Sequence, residues 1–168
     1  MIRSRLAVWV VTAGAAALLT GQGENSWGAT DIPPSIVSSP EAEKSRDVIR
    51  AFIREQVAAL MGDDAAARAA ARDALTGKAA SAQASVSFLD IYLTELAPEL
   101  IRALRDPKLP TRLNAAIVAS RAGSTTIDRQ GRLAPVVEVA LADNQLPVLI
   151  WSMKAAAQQL PVVLGQGA

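Results

Sequence analysis

The sequence contains neither cysteine nor histidine, and aromatic residues make up only 4% of its 168 residues. Without cysteine there is no disulfide framework, no thiolate nucleophile and no cysteine-ligated metal. Without histidine the chain lacks the commonest general base and the commonest metal ligand. Any catalysis would have to rest on carboxylates, lysine, serine or tyrosine, and no metal or other cofactor is expected.

Neither sign of charge is in marked excess, since 17 basic residues stand against 16 acidic ones for a formal charge of +1. A nucleic-acid partner or an acidic membrane surface would favour a strongly basic chain. The ten glycines are scattered and form no phosphate-binding loop. The apolar half of the composition is instead alanine, leucine and valine, which favours close-packed helices.

The first 28 residues have the pattern of a secretory signal peptide. Arg3 and Arg5 form a basic start, and an uncharged apolar stretch over 6–19 follows. Small residues suited to cleavage come next, at Ser26-Trp27-Gly28 or at Gly21-Gln22-Gly23. The apolar stretch is shorter than the roughly 20 residues of a membrane-spanning helix, which favours cleavage over an uncleaved anchor. We expect a secreted or periplasmic protein with no stable membrane span after cleavage.

Residues 29–39 are predicted to form a linker, because paired prolines and serines resist regular structure. A helical domain over 40–168 follows it. Ser39-Pro40-Glu41 predicts the start of the first helix, with serine as cap and proline at the first helical position. Gly62-Asp63-Asp64 predicts a tight turn into an alanine-rich second helix over 65–75.

The most informative pattern is a repeat of 37 residues. The segment 96–110, which begins Leu-Ala-Pro, returns without a gap as 133–147, and Leu100/Val137 and Asp106/Asp143 keep register. A fixed period of this size is typical of stacked supersecondary units. We therefore predict an all-α fold of six or seven helices, arranged as about three antiparallel hairpins in a short right-handed superhelix. Prolines are expected to bend the chain before Pro98 and to end the last helix, 148–160, at Pro161.

The repeated phrases resemble a HEAT repeat, a unit of the armadillo-type α-solenoids. Residues 103–107 lead to Arg112-Leu113-Asn114, and residues 140–143 lead to Leu149-Ile150-Trp151. The segment 62–70 is similar to a third, degenerate copy, so that the resemblance covers about 41–160. It implies a solenoid that serves as a scaffold, but no particular activity.

The resemblance also implies a ladder of turn aspartates and second-helix arginines between adjacent repeats. Asp63 or Asp64 with Arg68, and Asp106 with Arg112, fit that pattern. The last repeat has Leu149 where the arginine should be, so we expect the ladder to stop there and apolar packing to replace it.

Two charged patterns have alternative interpretations. Asp90, Glu95 and Glu99 lie close to Tyr92 in the sequence. If two of these carboxylates were about 5–9 Å apart, they would suit an extracytoplasmic hydrolase acting on glycosidic bonds. The arginines at 46, 50 and 54 fall on one helix face. They predict either a site for an anionic partner or a solvated surface balanced by the acids at 43, 47 and 55, and we favour the surface.

The end of the repeat region is rich in apolar residues that cannot all point into one core, because consecutive helical residues lie about 100° apart. Leu149, Trp151 and Met153 are the candidate interface residues, and Trp151 could equally belong to the core. We expect a non-catalytic protein-binding module, completed by a partner protein or by self-association. An apolar-ligand carrier is a further alternative, although it needs an internal cavity that alanine-rich packing disfavours.

Overall fold

The computed structural model describes residues 31–125 and 131–165, and these contain seven α-helices, one 3₁₀ helix and no strand. In chain order the helices are α1 (Pro34–Val37), α2 (Arg46–Met61), α3 (Ala65–Ala79), α4 (Val86–Leu104), α5 (Leu109–Thr125), α6 (Ala134–Leu141) and α7 (Leu146–Gly165), with the 3₁₀ helix (Ala42–Ser45) ahead of α2. The predicted all-α fold is confirmed. The predicted signal peptide lies outside the described residues.

The long helices alternate between two layers. Consecutive helices pack against each other as the pairs α2–α3, α4–α5 and α6–α7. Across the pairs, α2 packs on α4 and α4 on α6, while α3 packs on α5 and α5 on α7. Each helix therefore finds its main neighbours one and two positions away along the chain.

The core lies between the two layers. Its largest fully buried side chains include Ile49, Phe52, Ile53, Leu60, Leu75, Phe88, Tyr92, Leu96, Leu100 and Leu133. Leu100 and its repeat equivalent Val137 are both buried, as the 37-residue period predicts. Phe88 and Tyr92 stack with ring centroids 5.4 Å apart, and the Tyr92 hydroxyl donates to the Leu75 carbonyl at 2.9 Å. That bond ties α4 to α3 through the core.

The turns of the two clear repeats have the same hydrogen bonds. Asp106 Oδ1 accepts from the Lys108 amide at 2.8 Å, and Asp143 Oδ1 accepts from the Gln145 amide at 2.8 Å. Such a bond from an aspartate to the amide two residues on stabilises a turn locally. The 37-residue period in the sequence is therefore also a period in backbone geometry.

The arginine contacts differ from the expected ones in one respect. Arg112 reaches Asp106 through the backbone carbonyl, at 3.1 Å, and its Nε donates instead to Asp143 of the next repeat at 2.7 Å. Arg68 likewise donates to the carbonyl six residues before it, that of Gly62, at 2.8 Å. The aspartate carboxylates of the turns are occupied by nearby amides, which leaves the second oxygen of Asp143 for the neighbouring repeat.

The segment expected to be an irregular linker contains α1, and Ile32 and Val37 within it are buried. The first long helix also begins later than predicted, at Arg46. This segment is attached to the residue before α4, because the Ser85 amide donates to the Val37 carbonyl at 2.9 Å and the Ser85 hydroxyl donates to the Ser39 carbonyl.

The structure extends two helices past their predicted ends, and α4 is one helix across the position where a bend was predicted. α4 continues through Pro98, α7 continues past Pro161, and α3 continues through Gly77 to Ala79. A proline inside a helix costs about 3 kcal/mol relative to alanine. Helices in proteins owe most of their stability to packing, and Pro98 is exposed while Leu96 and Leu100 beside it are buried. The buried neighbours hold α4 helical across the proline.

Candidate interaction surface

Glu95, one of the three candidate carboxylates, forms ion pairs with two arginines of α2. Arg50 Nε donates to one of its oxygens at 2.7 Å and Arg46 Nε to the other at 2.6 Å. The side chain is only 10% exposed. The hydrogen bonds from Arg50 and Arg46 hold the pKa of Glu95 below its ordinary value of 4.5. The carboxylate is therefore kept charged, with both oxygens occupied by donors.

The other two candidate carboxylates are also paired with arginines. Glu99 accepts from Arg54 at 3.3 Å and from Arg102 at 2.8 Å. Asp90 accepts from Arg132 at 2.8 Å. A catalytic carboxyl pair needs one member with a raised pKa, so that it can donate a proton. The pairing of Glu95 shifts its pKa in the opposite direction.

The arginines at 46, 50 and 54 form the predicted solvated face only in part, since their side chains are 38%, 36% and 65% exposed but also contact α4. Arg46 and Arg50 also touch the predicted partners Glu43 and Asp47, at 3.0 and 3.4 Å. Their closest contacts, however, are with Glu95 on the neighbouring helix. We call the group Arg46, Arg50, Arg54, Glu95 and Glu99 the α2–α4 charge network. Its ion pairs link α2 to α4, which makes it a clamp between two helices.

Asp63 and Asp64 have structural contacts. Asp64 caps α3, since its Oδ1 accepts from the amides of Ala66 and Ala67 at 2.8 and 3.3 Å. Asp63 accepts from Lys108 Nζ at 2.6 Å, which lowers the pKa of Asp63. Within the part of the chain that the structure describes, no group of three potential ligands is placed to hold a metal ion.

Two depressions lie along α3, with volumes of about 350 and 330 Å³. Both are bordered by Asp73 and Gly77 and open to solvent. Asp73 is paired with Arg72 at 3.0 Å and with Arg121 at 3.5 Å. An open depression with ion pairs at its edge does not enclose an apolar molecule as a carrier's cavity would.

The exposed apolar residues of α7 form a continuous line. Leu146 is 69% exposed, Ile150 46% and Met153 64%, and Ala157 is exposed as well. The intervals between them are four, three and four residues, which place all four on one side of a helix. We call this set the α7 apolar stripe. On the opposite side of the helix, Val148, Ser152 and Ala155 are buried.

Of the three residues predicted for an interface, only Met153 belongs to this stripe. Leu149 and Trp151 are half-buried, and Trp151 packs against the core with Lys154 Nζ 4.3 Å above its ring. The sequence prediction missed Leu146 because it placed the start of the helix at Val148. The intervals of four and three residues were the signal that could have identified the stripe.

The part of the chain that the structure describes includes no helix that combines the length and the apolar character needed to span a bilayer. The α7 apolar stripe occupies one side of a helix whose other side is packed on α5 and α6. Comparison with known proteins adds no further constraint on its role, since no family model, no curated protein and no solved structure matches this chain.

Proposed function

We propose that this chain is an exported, non-catalytic helical-repeat protein that binds another protein through the α7 apolar stripe. The observation that carries the proposal is the exposure of Leu146, Ile150 and Met153 on one helix face. Scattered exposed apolar residues are normal, whereas a contiguous patch is typical of an interface. Because the opposite face of α7 is packed on the body of the protein, the stripe is presented on a rigid support.

The proposed architecture is a short HEAT-like α-solenoid. It is supported by the alternation of helices between two layers and by the matching turns at Asp106 and Asp143. The contact between Arg112 and Asp143 joins two successive hairpins, as a ladder between repeats would. Arg68 and Arg112 bind carbonyls at the same distance along the chain, which supports a third copy in the first hairpin.

The absence of catalysis is proposed from the state of the candidate acids. Asp90, Glu95 and Glu99 are each bound by arginine, and the lowered pKa of Glu95 does not suit a proton donor. A hydrolase would need at least one of these carboxylates to be free to approach a substrate. The observed pairs hold α4 to α2 and to Arg132, two residues before α6, instead.

Export is proposed from the first 28 residues, and it has a direct test. We expect the protein in the extracellular or periplasmic fraction to begin near Ala29 when its N-terminus is sequenced. A mature chain that still begins at Met1 would contradict export with cleavage.

The binding role can be tested with a photo-crosslinking amino acid placed at Met153 in the full chain in its native host. We expect crosslinked products of defined mass. Val86 is 86% exposed and lies at the start of α4, which makes it a matched apolar control. The second substitution Ile150→Glu should abolish the products formed from Met153. Equal products from both positions, or none from Met153, would contradict the proposal.

A further inference from the structure

We infer that the protein bound by the α7 apolar stripe is a second copy of this chain, whose α7 packs antiparallel to the first about a two-fold axis midway between Ile150 and Met153. This inference rests on the proposed function, because it names the partner of the same surface. It follows from the spacing of the stripe, from its lack of charge, and from the chemistry of the other end of the helical stack.

The spacing of the stripe is that of a self-pairing helix. Alternating intervals of four and three residues form the seam along which two helices interlock side chains. With an antiparallel two-fold axis at its centre, Ile150 faces Met153 of the second copy. Leu146 then faces Ala157 of the second copy, so that the largest exposed side chain at one end meets the smallest at the other. One helix face thereby supplies both halves of a complementary contact.

The charge of the helix permits this pairing. Lys154 is the only charged residue between Leu146 and Gly165, and its ammonium group lies over the Trp151 ring, beside the stripe and not within it. Two stripes in contact would therefore bury no unpaired charge. Burying an uncompensated charge is strongly unfavourable, and its absence from this face is what an apolar contact between identical copies requires.

Within the described residues, the exposed surface of α2 at the opposite end of the stack is not a matching apolar surface. The exposed residues of α2 include Asp47 and Arg54 among smaller apolar ones, and Arg54 belongs to the α2–α4 charge network. A head-to-tail contact would bury these charges against Leu146 and Ile150. It would also continue from copy to copy and produce a filament. A contact between two identical stripes avoids both consequences and closes as a dimer.

The size of the stripe sets the expected affinity. Leu146 to Ala157 spans about 17 Å of helix, and Leu141 at the end of α6 is also exposed nearby in the chain. A single helix face of about three turns is a small contact, whereas a standard interface buries about 800 Å² per partner. We therefore expect a dissociation constant in roughly the micromolar range.

Sedimentation of the purified wild-type protein over a concentration series tests the inference. A reversible monomer–dimer equilibrium is expected. Ile150→Glu and Met153→Glu should each raise the dissociation constant by roughly 100-fold or more, because each places a charge in the seam. Val86→Glu should leave the constant unchanged, and circular dichroism should show the same helical content in all four proteins. A monomer at every concentration, or a dimer unaffected by both substitutions, would overturn the inference.

The absence of cysteine allows a test of the antiparallel arrangement. Ile150→Cys and Met153→Cys proteins with tags of different mass are mixed and oxidised. The predicted product is the mixed disulfide dimer, since the two positions face each other, and Val86→Cys serves as the background control. A preference for the two homodimers would overturn the antiparallel arrangement.

The two proposals can fail separately. If the purified chain is monomeric but Met153 crosslinks in its host to a protein of another mass, the inference fails and the proposed binding role stands. If Met153 forms no product, both fail.

Discussion

The first and last long helices, α2 and α7, which would form the two ends of the proposed stack, differ in the residues that they expose. At the first end, the 3₁₀ helix packs on α2 and α4, α1 packs on the 3₁₀ helix, and Lys78 binds the Ile32 carbonyl at 3.0 Å. The exposed surface of α2 carries charges that are paired with α4. At the other end, α7 exposes Leu146, Ile150 and Met153.

This difference bears on the proposed stack of hairpins and on where we propose that it binds. Each hairpin in such a stack buries its faces against its neighbours, so an outer face must be polar or covered. The first end meets that requirement with local chain segments and ion pairs. The α7 end does not meet it within the described residues, which is why we place the interaction there.

The largest expected effect on stability comes from a substitution in the core of α4, the helix between α2 and α6. Leu100→Ala removes a fully buried side chain from α4, which contacts both α2 and α6. We expect the free energy of unfolding to fall by about 2–5 kcal/mol, from lost burial and the cavity left behind. Urea denaturation followed by circular dichroism measures it. A loss below about 1 kcal/mol would mean that the centre of the stack is not packed as described.

The next effect concerns the charge network at the first end. Glu95→Gln removes the charge that Arg46 and Arg50 bind, and we expect a loss of about 1–2 kcal/mol at pH 7, since both arginines are partly exposed. Glu41→Gln removes an exposed acid with one exposed partner and serves as the control. It should change stability by less than about 0.5 kcal/mol.

The stability lost in Glu95→Gln should depend on pH. The pKa of Glu95 is lower in the folded protein than its ordinary value of 4.5, so the carboxylate stabilises the fold above that value. This contribution is lost as the pH falls from 4.5 through the lowered folded pKa. We therefore expect the stability difference between wild type and Glu95→Gln to shrink in that range. A difference that stays constant from pH 7 to pH 3 would contradict the assignment.

A smaller effect is expected from the cap that joins the first end to α4. Ser85 Oγ accepts from the Phe88 amide at 3.0 Å and also donates to the Ser39 carbonyl. Ser85→Ala should reduce the free energy of unfolding by about 1 kcal/mol, the usual cost of losing a helix cap. The control is Ser124→Ala, whose hydroxyl donates to a carbonyl in its own helix, α5. Equal effects on thermal unfolding would show that the cap has no special role.

The smallest effect on stability is expected at the α7 end. Met153→Glu replaces an exposed side chain, so the free energy of unfolding of the monomer should change by less than about 0.5 kcal/mol. Urea denaturation at a concentration well below that of dimer formation measures this value. A large loss would show that Met153 supports the fold, which would remove it from the proposed binding surface.

Much of the architecture could be predicted from the sequence because it depends on local or repeated patterns. The 37-residue period correctly places Leu100 and Val137 in the core, and the aspartates at 106 and 143 in equivalent turns. Helix boundaries were less predictable. Proline chemistry alone predicts that the last helix ends at Pro161, whereas α7 continues to Gly165. Helices in proteins owe most of their stability to packing, which a local pattern does not reveal.

The sequence by itself determined the helical hairpins, their order and the spacing of the α7 apolar stripe, because helix periodicity and turn chemistry act over a few residues. Only the tertiary structure decided that Glu95 is bound by arginines 45 and 49 positions away. It also decided that Trp151 packs against the core while Leu146 is exposed. Periodicity determines which side chains share a face, whereas the packing of distant helices determines what that face meets.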